Sequence, residues 1–272
     1  MRSKIARTSI EATYVRAEES RRPDRLFDDP FAPLFIAASE QHESDPAEVE
    51  ARATWKQILS FNVIVRTRFF DEYLLAATEA GCRQVVLVGA GLDARAYRLD
   101  WPAGVHLYEI DLGDLLDFKN EVLDAADARP RCARDVLMTD LRDDDWPARL
   151  VAGGFDPTAP TAWLVEGVLG YLTADEAARL LGMIGDLSAS GSRMSFEHAN
   201  LDKSAFLAEA KAVPGLAEIA AMAKGGLGEG TMPWLGENGW DARLLDRADV
   251  AASYGRQAQG RSNGGLLTAV RR

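Results

Sequence analysis

Residues 84–93 read Gln84-Val85-Val86-Leu87-Val88-Gly89-Ala90-Gly91-Leu92-Asp93. Four consecutive apolar residues run straight into a Gly-x-Gly turn, the pattern of a buried strand feeding a ligand-binding loop. Glycine at 89 and 91 lets the backbone turn tightly and approach a ligand closely. Downstream, Leu107-Tyr108-Glu109-Ile110-Asp111 is a second strand that ends in acids. Acids there can accept hydrogen bonds from ribose hydroxyls. The pairing of loop and acids is that of a nucleotide-type cofactor lying across the carboxyl ends of parallel strands.

Working outward, the βα rhythm continues on both sides. Strands are expected at 84–88, 105–109, 133–137, 161–166 and 192–197, and helices near 93–98, 112–126, 143–151 and 174–189. Such alternation builds a mostly parallel sheet with helices on both faces. Upstream, residues 5–22 read as a helix closed by Pro23, and a short apolar helix follows near 31–38. Residues 40–52 are polar and read as a loop or helix start. A longer helix near 53–80 ends at Gly81. Downstream, 199–240 breaks the rhythm with a helical 201–213 and the glycine-rich run 225–230, which reads as a hinged lid. Two final strands lie in 240–246 and 266–270, with Asn263-Gly264-Gly265 suiting an antiparallel return. The expected layout is an N-terminal helical cap over 1–80, a core over 81–198, a lid over 199–240 and closing strands over 241–272.

The chain has 272 residues, 47% hydrophobic and 27% charged, ordinary for one large soluble domain. Its net charge of −11 argues against nucleic-acid binding. No run is apolar enough for a membrane span, and the start is not a secretory signal. Cys82 and Cys132 are the only cysteines and offer neither a disulfide framework nor a metal spacing, which fits a cytoplasmic protein. Charge is uneven. Residues 1–25 carry Arg2, Lys4, Arg7, Arg16, Arg21, Arg22 and Arg25 against Glu11, Glu18, Glu19 and Asp24. This basic arm on an acidic body either meets an anionic ligand or is a solvated helix held by scattered ion pairs.

Asp93 bears on which cofactor uses the glycine turn. A pyrophosphate docks through backbone N–H groups and the helix dipole, and a carboxylate alongside would repel it. S-adenosylmethionine has no phosphate, and its ammonium and sulfonium favour nearby carboxylates. Arg95 can offset Asp93 in part, and a plain helix N-cap is the alternative role for Asp93. A nicotinamide-dependent oxidoreductase on the same turn therefore remains a rival, as does a non-catalytic cofactor-binding regulator.

The stretch through Arg98 resembles the leucine carboxyl methyltransferase family, in particular its bacterial polyketide O-methyltransferase branch. Further segments agree in order: Thr8 to Glu18; Arg25-Leu26-Phe27-Asp28-Asp29-Pro30-Phe31-Ala32; Arg66-Thr67-Arg68-Phe69-Phe70-Asp71; Tyr108 to Asp111; Glu166-Gly167-Val168-Leu169-Gly170-Tyr171-Leu172; and Gly239-Trp240 with Tyr254-Gly255-Arg256. The resemblance implies a class I Rossmann-like fold with a seven-stranded sheet. It implies that Gly89 and Gly91 contact the methionine moiety of S-adenosylmethionine, that Asp111 binds the ribose with Glu109 beside it, and that Asp140 and Leu141 flank the adenine. Glu166 would face the methionine ammonium, and Arg66 would pair with the methionine carboxylate. Arg16 would be a second cationic partner, although family members often carry lysine near that position. Arg68 rivals Arg66, but two residues apart on a helix they point to different faces.

The expected reaction is O-methylation of a carboxylate on a small metabolite or peptide C-terminus, with a phenol or alcohol acceptor as the alternative. A carboxylate, with a reference pKa of about 4, is already ionised and needs no base; a phenol, at about 10, would benefit from one. His42, His106 and His198 are far apart in sequence. His106 reads as a packed or edge residue, and His198 ends a strand on the cofactor side. Tyr171 is placed to position the acceptor, or else packs with its hydroxyl at the surface. Trp234 and Trp240 would wall an apolar substrate or pack in the core. The arm, especially Arg16, Arg21, Arg22 and Arg25, would cap the site and attract the anionic acceptor. Neither the acceptor nor the oligomeric state is legible.

Overall fold

A computed structural model describes residues 4–40, 46–198, 222–257 and 264–272. Three helices come first: α1 (Lys4–Ser20), α2 (Ala32–Glu40) and α3 (Pro46–Glu79). The polar stretch before residue 53 thus contributes a full two turns to α3. The expected βα alternation follows: β1 (Gln84–Val88), α4 (Arg95–Arg98), β2 (His106–Asp111), α5 (Gly113–Ala125), β3 (Ala133–Met138), α6 (Trp146–Ala152), β4 (Thr161–Val165), α7 (Ala174–Asp186) and β5 (Arg193–His198). The chain closes with α8 (Thr231–Glu237), β6 (Trp240–Asp246), α9 (Arg247–Ser253) and β7 (Gly265–Arg271). The helical 201–213 and His42 lie outside the described residues.

The seven strands form one sheet in the order β3-β2-β1-β4-β5-β7-β6. β7 runs antiparallel to both β5 and β6, and the pairs among β1 to β5 are parallel. The strand order reverses at β1, so the crevice above the carboxyl ends of β1 and β4 is where a ligand docks in such a sheet.

Period-two alternation divides the core. Val85, Leu87, Leu107, Ala162 and Leu164 face one side, packed with Phe70 and Leu74 of α3 and Leu115 of α5. Val86, Val88, Ile110, Trp163, Val165 and Phe196 face the other, packed with Trp146 of α6 and Leu180 and Ile184 of α7. Helices on both faces bury the central strands completely, which is why Val85–Val88 of β1 and Ala162–Val165 of β4 are unbroken apolar runs. α7 starts at a capping box: Thr173 Oγ1 accepts from Glu176 N–H at 3.2 Å, and Glu176 Oε2 accepts from Thr173 N–H at 2.8 Å. This fixes the end of the loop that leaves β4.

Trp240 is 1% exposed within the second core, its ring beneath Arg271, so it walls no substrate. Trp234 packs part-buried on the same core. The glycine-rich stretch is also anchored. Lys224 and Gly225 N–H donate to Gly170 O at 2.8 and 3.1 Å, and Gly226 N–H donates to Leu172 O at 3.0 Å. A Cβ on Gly226 would stand 2.9 Å from Leu169 O. Its glycine serves close backbone docking onto the loop after β4, where a hinge had been expected.

Candidate active site

The turn after β1 is held in the left-handed region, with φ +73° at Gly89 and +48° at Gly91. Gly89 and Ala90 N–H donate to Ile110 O at 2.8 and 3.0 Å, which ties the turn to the end of β2. Asp111 completes that tie: its Oδ2 accepts from Gly91 N–H at 2.6 Å and its Oδ1 from Leu112 N–H at 2.7 Å. A Cβ on Gly89 would stand 2.3 Å from Val168 Cγ2, and one on Gly91 would stand 3.0 Å from Ser9 Oγ. The two glycines therefore admit the loop after β4 on one side and α1 on the other. The close approach at Gly91 is made by the chain's own first helix.

Behind the turn lies a connected set of buried charges. Arg95 is 2% exposed and reaches three carboxylates: Asp71 at 2.7 Å, Glu166 at 2.8 Å, and Asp93 in a close ion pair. Arg98 grips Asp71 with two nitrogens, both at 2.7 Å. Arg66 Nε donates to Glu166 Oε1 at 2.9 Å and lies 3.7 Å from Glu197. Counting Arg66, Arg95 and Arg98 against Asp71, Asp93, Glu166 and Glu197 leaves one negative charge in excess. Burial alone would raise the pKa of Glu166, but Arg95 and Arg66 outweigh it and hold it below its ordinary value. Asp93 follows the same pattern, with Arg95, Lys119 and Arg98 offsetting its burial. Asp111 and Glu197 go the other way, pushed up mainly by burial.

The structure sorts the sequence-derived candidates. Arg66 faces the site, whereas Arg68 pairs with Glu72 at 2.7 Å and donates to Leu26 O on the outer side of α3. Asp93 N-caps nothing in the ordinary sense: its Oδ1 accepts from Arg95 N–H at 2.7 Å, and its other oxygen holds the Arg95 guanidinium. Arg16 reaches Asp29 at 2.8 Å and donates to Leu92 O at 2.9 Å, so it pins α1 to the glycine loop. Its carboxylate partner is Asp29, not a ligand. Glu109 is likewise corrected. It points to the same sheet face as Asp111 but is fully buried one step below, accepting from Lys119 and Arg134 at 2.7 Å each. That triad closes it off from a ribose. Asp140 is ion-paired with Arg142 and held low by it, and Leu141 approaches Gly89 across the crevice.

Tyr171 sits in the short 3-10 turn Leu169–Tyr171, hydrogen-bonded to Thr8 and within the fields of Arg66 and Glu197. Burial raises its pKa, so its hydroxyl keeps its proton. His198 is half-buried at the end of β5, and its burial together with Arg247 lowers its pKa. His106 lies at the opposite end of the sheet, 2.6 Å from Asp135 and stacked on Tyr108, an edge residue as expected. In the basic arm Arg22 is paired with Asp24 and Glu19, and Arg21 and Arg25 are exposed at the surface. α1 lies against the glycine loop through Ser9 and Arg16 and meets Tyr171 through Thr8.

Two members of the site were missed. Arg95 stands in the quoted motif, where its signal was only proximity to Asp93. Glu197 precedes His198 at a strand end. Its Oε1 accepts from Gly167 N–H at 2.6 Å, and its Oε2 is buried without a hydrogen-bond partner among the described residues.

These features fit S-adenosylmethionine. The methionine end carries an ammonium and a sulfonium, which suit the carboxylates of Asp93 and Glu166 that the cluster holds ionised. A pyrophosphate would instead meet Asp93 and Glu166, both held ionised. Fold and site together define an S-adenosylmethionine-dependent methyltransferase with a Rossmann-like sheet. Comparison with known proteins agrees: residues 9–185 match the leucine carboxyl methyltransferase family, and the chain belongs to it. A Parafrankia sp. (strain EAN1pec) protein named as an S-adenosyl-L-methionine-dependent methyltransferase is 47% identical over 255 residues, covering 93% of this chain and 82% of its own. A Frankia alni protein of the same naming is 45% identical over 272 residues, covering 98% and 95%. Among solved structures, a DUF574 family protein from Streptomyces avermitilis MA-4680 superposes with a TM-score of 0.60 at 15% identity, covering 88% of this chain and 95% of that one. That likeness concerns the fold. The relatives set aside the nicotinamide-dependent rival. Among the described residues, no helix is long and apolar enough to cross a membrane.

Proposed function

We propose that the protein methylates a carboxylate oxygen of a small metabolite or peptide C-terminus, forming a methyl ester. The observation that carries this reading is Tyr171, a proton-bearing hydroxyl in the short turn after β4, tied to Thr8 and within the field of Arg66. A donor next to a cation suits an anionic acceptor oxygen. The family's description points to the same chemistry.

In this reading Asp111 takes the ribose hydroxyls on the lone pairs left by its two backbone donors. Leu141 and Asp140 border the adenine. Glu166 would hold the methionine ammonium, and Arg66, which pairs with Glu166, would hold the methionine carboxylate. When bound, S-adenosylmethionine supplies an activated methyl group on a sulfonium, so the protein's work is positioning, desolvation and electrostatics. A carboxylate acceptor arrives ionised and needs no base. Tyr171 donates to the acceptor oxygen that is not methylated, and α1 excludes water above the glycine loop.

The test is a product screen by mass spectrometry with isotopically labelled cofactor and panels of carboxylic acids, phenols and peptides. Products cleaved by mild base are esters and support the proposal. Label found only in base-stable ethers would replace it with a phenol or alcohol acceptor, for which neutral His198 is the available proton acceptor.

A further inference from the structure

Arg247, the first residue of α9, is a buried guanidinium with no ion-paired carboxylate among the described residues. It is 6% exposed. One terminal nitrogen donates to Asn62 Oδ1 at 3.1 Å, the other reaches Gly265 O only at 3.5 Å, and Nε is buried with no partner among the described residues. Arg98 and Arg134 also have a buried Nε without a partner, and what sets Arg247 apart is the carboxylate. Arg16, Arg66, Arg95, Arg98 and Arg134 each hold a carboxylate at 2.7–2.9 Å. Burying a charge is costly unless it is paired. Here burial outweighs the pull of Glu197 and Asp246 and lowers the pKa of Arg247.

Its place in the fold says what could complete it. In the sheet register, His198 of β5, Gly265 of β7 and Asp246 of β6 stand side by side, so Arg247 emerges at the carboxyl edge of β6. Asn62 and Arg66 are four residues apart on one face of α3, so Arg247 lies about one helical turn, roughly 5 Å, along α3 from the cation assigned to the methionine carboxylate. Glu197 acts on both arginines, and His198 feels Arg247. The site is therefore next to the cofactor crevice and separate from it.

We infer that Arg247, with Asn62, is the binding site for a carboxylate of the methyl acceptor. An arginine with Nε and a terminal nitrogen available presents the two-pronged edge that matches a carboxylate, and Asn62 fixes the plane of the fork. This assignment rests on the proposed carboxylate acceptor, but its test does not require turnover.

The test titrates octanoate and benzoate, with their primary amides as uncharged controls, into the S-adenosylhomocysteine complex by calorimetry. In the parent protein the acids bind about tenfold or more tightly than the amides, as expected for a charge-assisted contact. Arg247→Met keeps the stem and removes the fork, and the acid preference disappears while the affinity for S-adenosylhomocysteine stays within about twofold. Asn62→Asp is the second variant: it gives Arg247 an internal carboxylate and should also abolish acid binding. Absence of acid preference in the parent, or its persistence in Arg247→Met, overturns the inference. The product screen reads the other proposal independently. Ester formation with an acid preference indifferent to Arg247 removes Arg247 and keeps carboxyl methylation. Ether formation with an acid preference lost in Arg247→Met keeps the carboxylate anchor and removes carboxyl methylation.

Discussion

Replacing Arg95 by Met tests the charge cluster directly. The substitution keeps a long unbranched stem, so packing changes little, but it leaves Asp71, Asp93 and Glu166 without the cation they share. The excess of one negative charge in the cluster becomes two. Breaking a buried ion pair by removing one partner costs about 3–5 kcal/mol. Asp71 keeps Arg98 and Glu166 keeps Arg66, so Asp93 is the carboxylate left without an ion pair, and a loss within that range is expected. For a chain of this size about 1 kcal/mol moves Tm by roughly 2–4 °C, so the loss is on the order of 6–20 °C. The pH dependence fixes the cause. In the parent, Asp93 and Glu166 have depressed pKa values and contribute stability above their unfolded values near pH 4, lost only as pH falls through the lower folded values. In the variant the largest offset to burial is gone and only Arg66 at Glu166 and Lys119 and Arg98 at Asp93 remain, so both folded pKa values rise and ionisation at neutral pH costs stability relative to the parent. The deficit must therefore be largest near pH 7–8 and shrink as pH approaches 4. Urea denaturation at several pH values reads this. A deficit under about 1 kcal/mol at neutral pH, or one that grows on acidification, would refute the reasoning.

Three further outcomes are expected. Asp111→Asn keeps an acceptor for Gly91 N–H but loses the charge, and should weaken S-adenosylhomocysteine by about 1–3 kcal/mol, roughly five- to 150-fold, in a calorimetric titration; unchanged affinity removes Asp111 from the ribose site. Gly89→Ala combines a strained positive φ, about 1–2 kcal/mol, with a collision against Val168 Cγ2, about 1–3 kcal/mol, and adding Val168→Ala should return the second part only, as read by thermal and chemical denaturation. Arg66→Met should reduce cofactor affinity by about tenfold or more, while Arg68→Met, which breaks a half-exposed pair, costs at most about 1 kcal/mol of stability and leaves cofactor affinity alone; equal effects on cofactor binding would mean that the assignment by helix face is wrong.

The elements and the location of the crevice were legible because they rest on local patterns. Gln84–Asp93 and Leu107–Asp111 announce buried strands, a turn and terminal acids, and periodicity two decides which strand residues share a face. The roles of single charged residues were much less legible. Glu109 and Asp111 look equivalent in sequence, both acids on the same face of β2. They are separated by what comes in from elsewhere: Lys119, ten residues on, and Arg134 of β3 neutralise the lower acid, while the upper one turns to the glycine loop. Arg16 could be read as a ligand for an anion because Asp29 was not visibly opposite it. Arg66 and Glu166 are a hundred residues apart, and Arg95 and Glu166 seventy-one. Such pairings depend on strand order and on helix placement over the sheet, which local spacing does not encode.

The same reasoning explains why the first helix belongs to the active site although it precedes the sheet-forming core. Ser9 occupies the space that a side chain at 91 would fill, Thr8 holds the hydroxyl of Tyr171, and Arg16 binds the carbonyl of Leu92. At the far end, Arg256 ties the turn after α1 to the C-terminal region through Glu19 at 2.7 Å and Asp24 at 2.5 Å. Of these contacts, the Arg16–Asp29 and Arg256–Glu19 pairs are the least exposed to solvent, with both acids at or below 1% exposure. Screening by salt weakens exposed pairs far more than buried ones. The C-terminal half of α1, from which Arg16 reaches the loop, is consequently fixed by pairs that persist at high ionic strength. Among the described cations of the arm, Arg16 makes the contact with the loop, whereas Arg21, Arg22 and Arg25 are exposed and take no part in it.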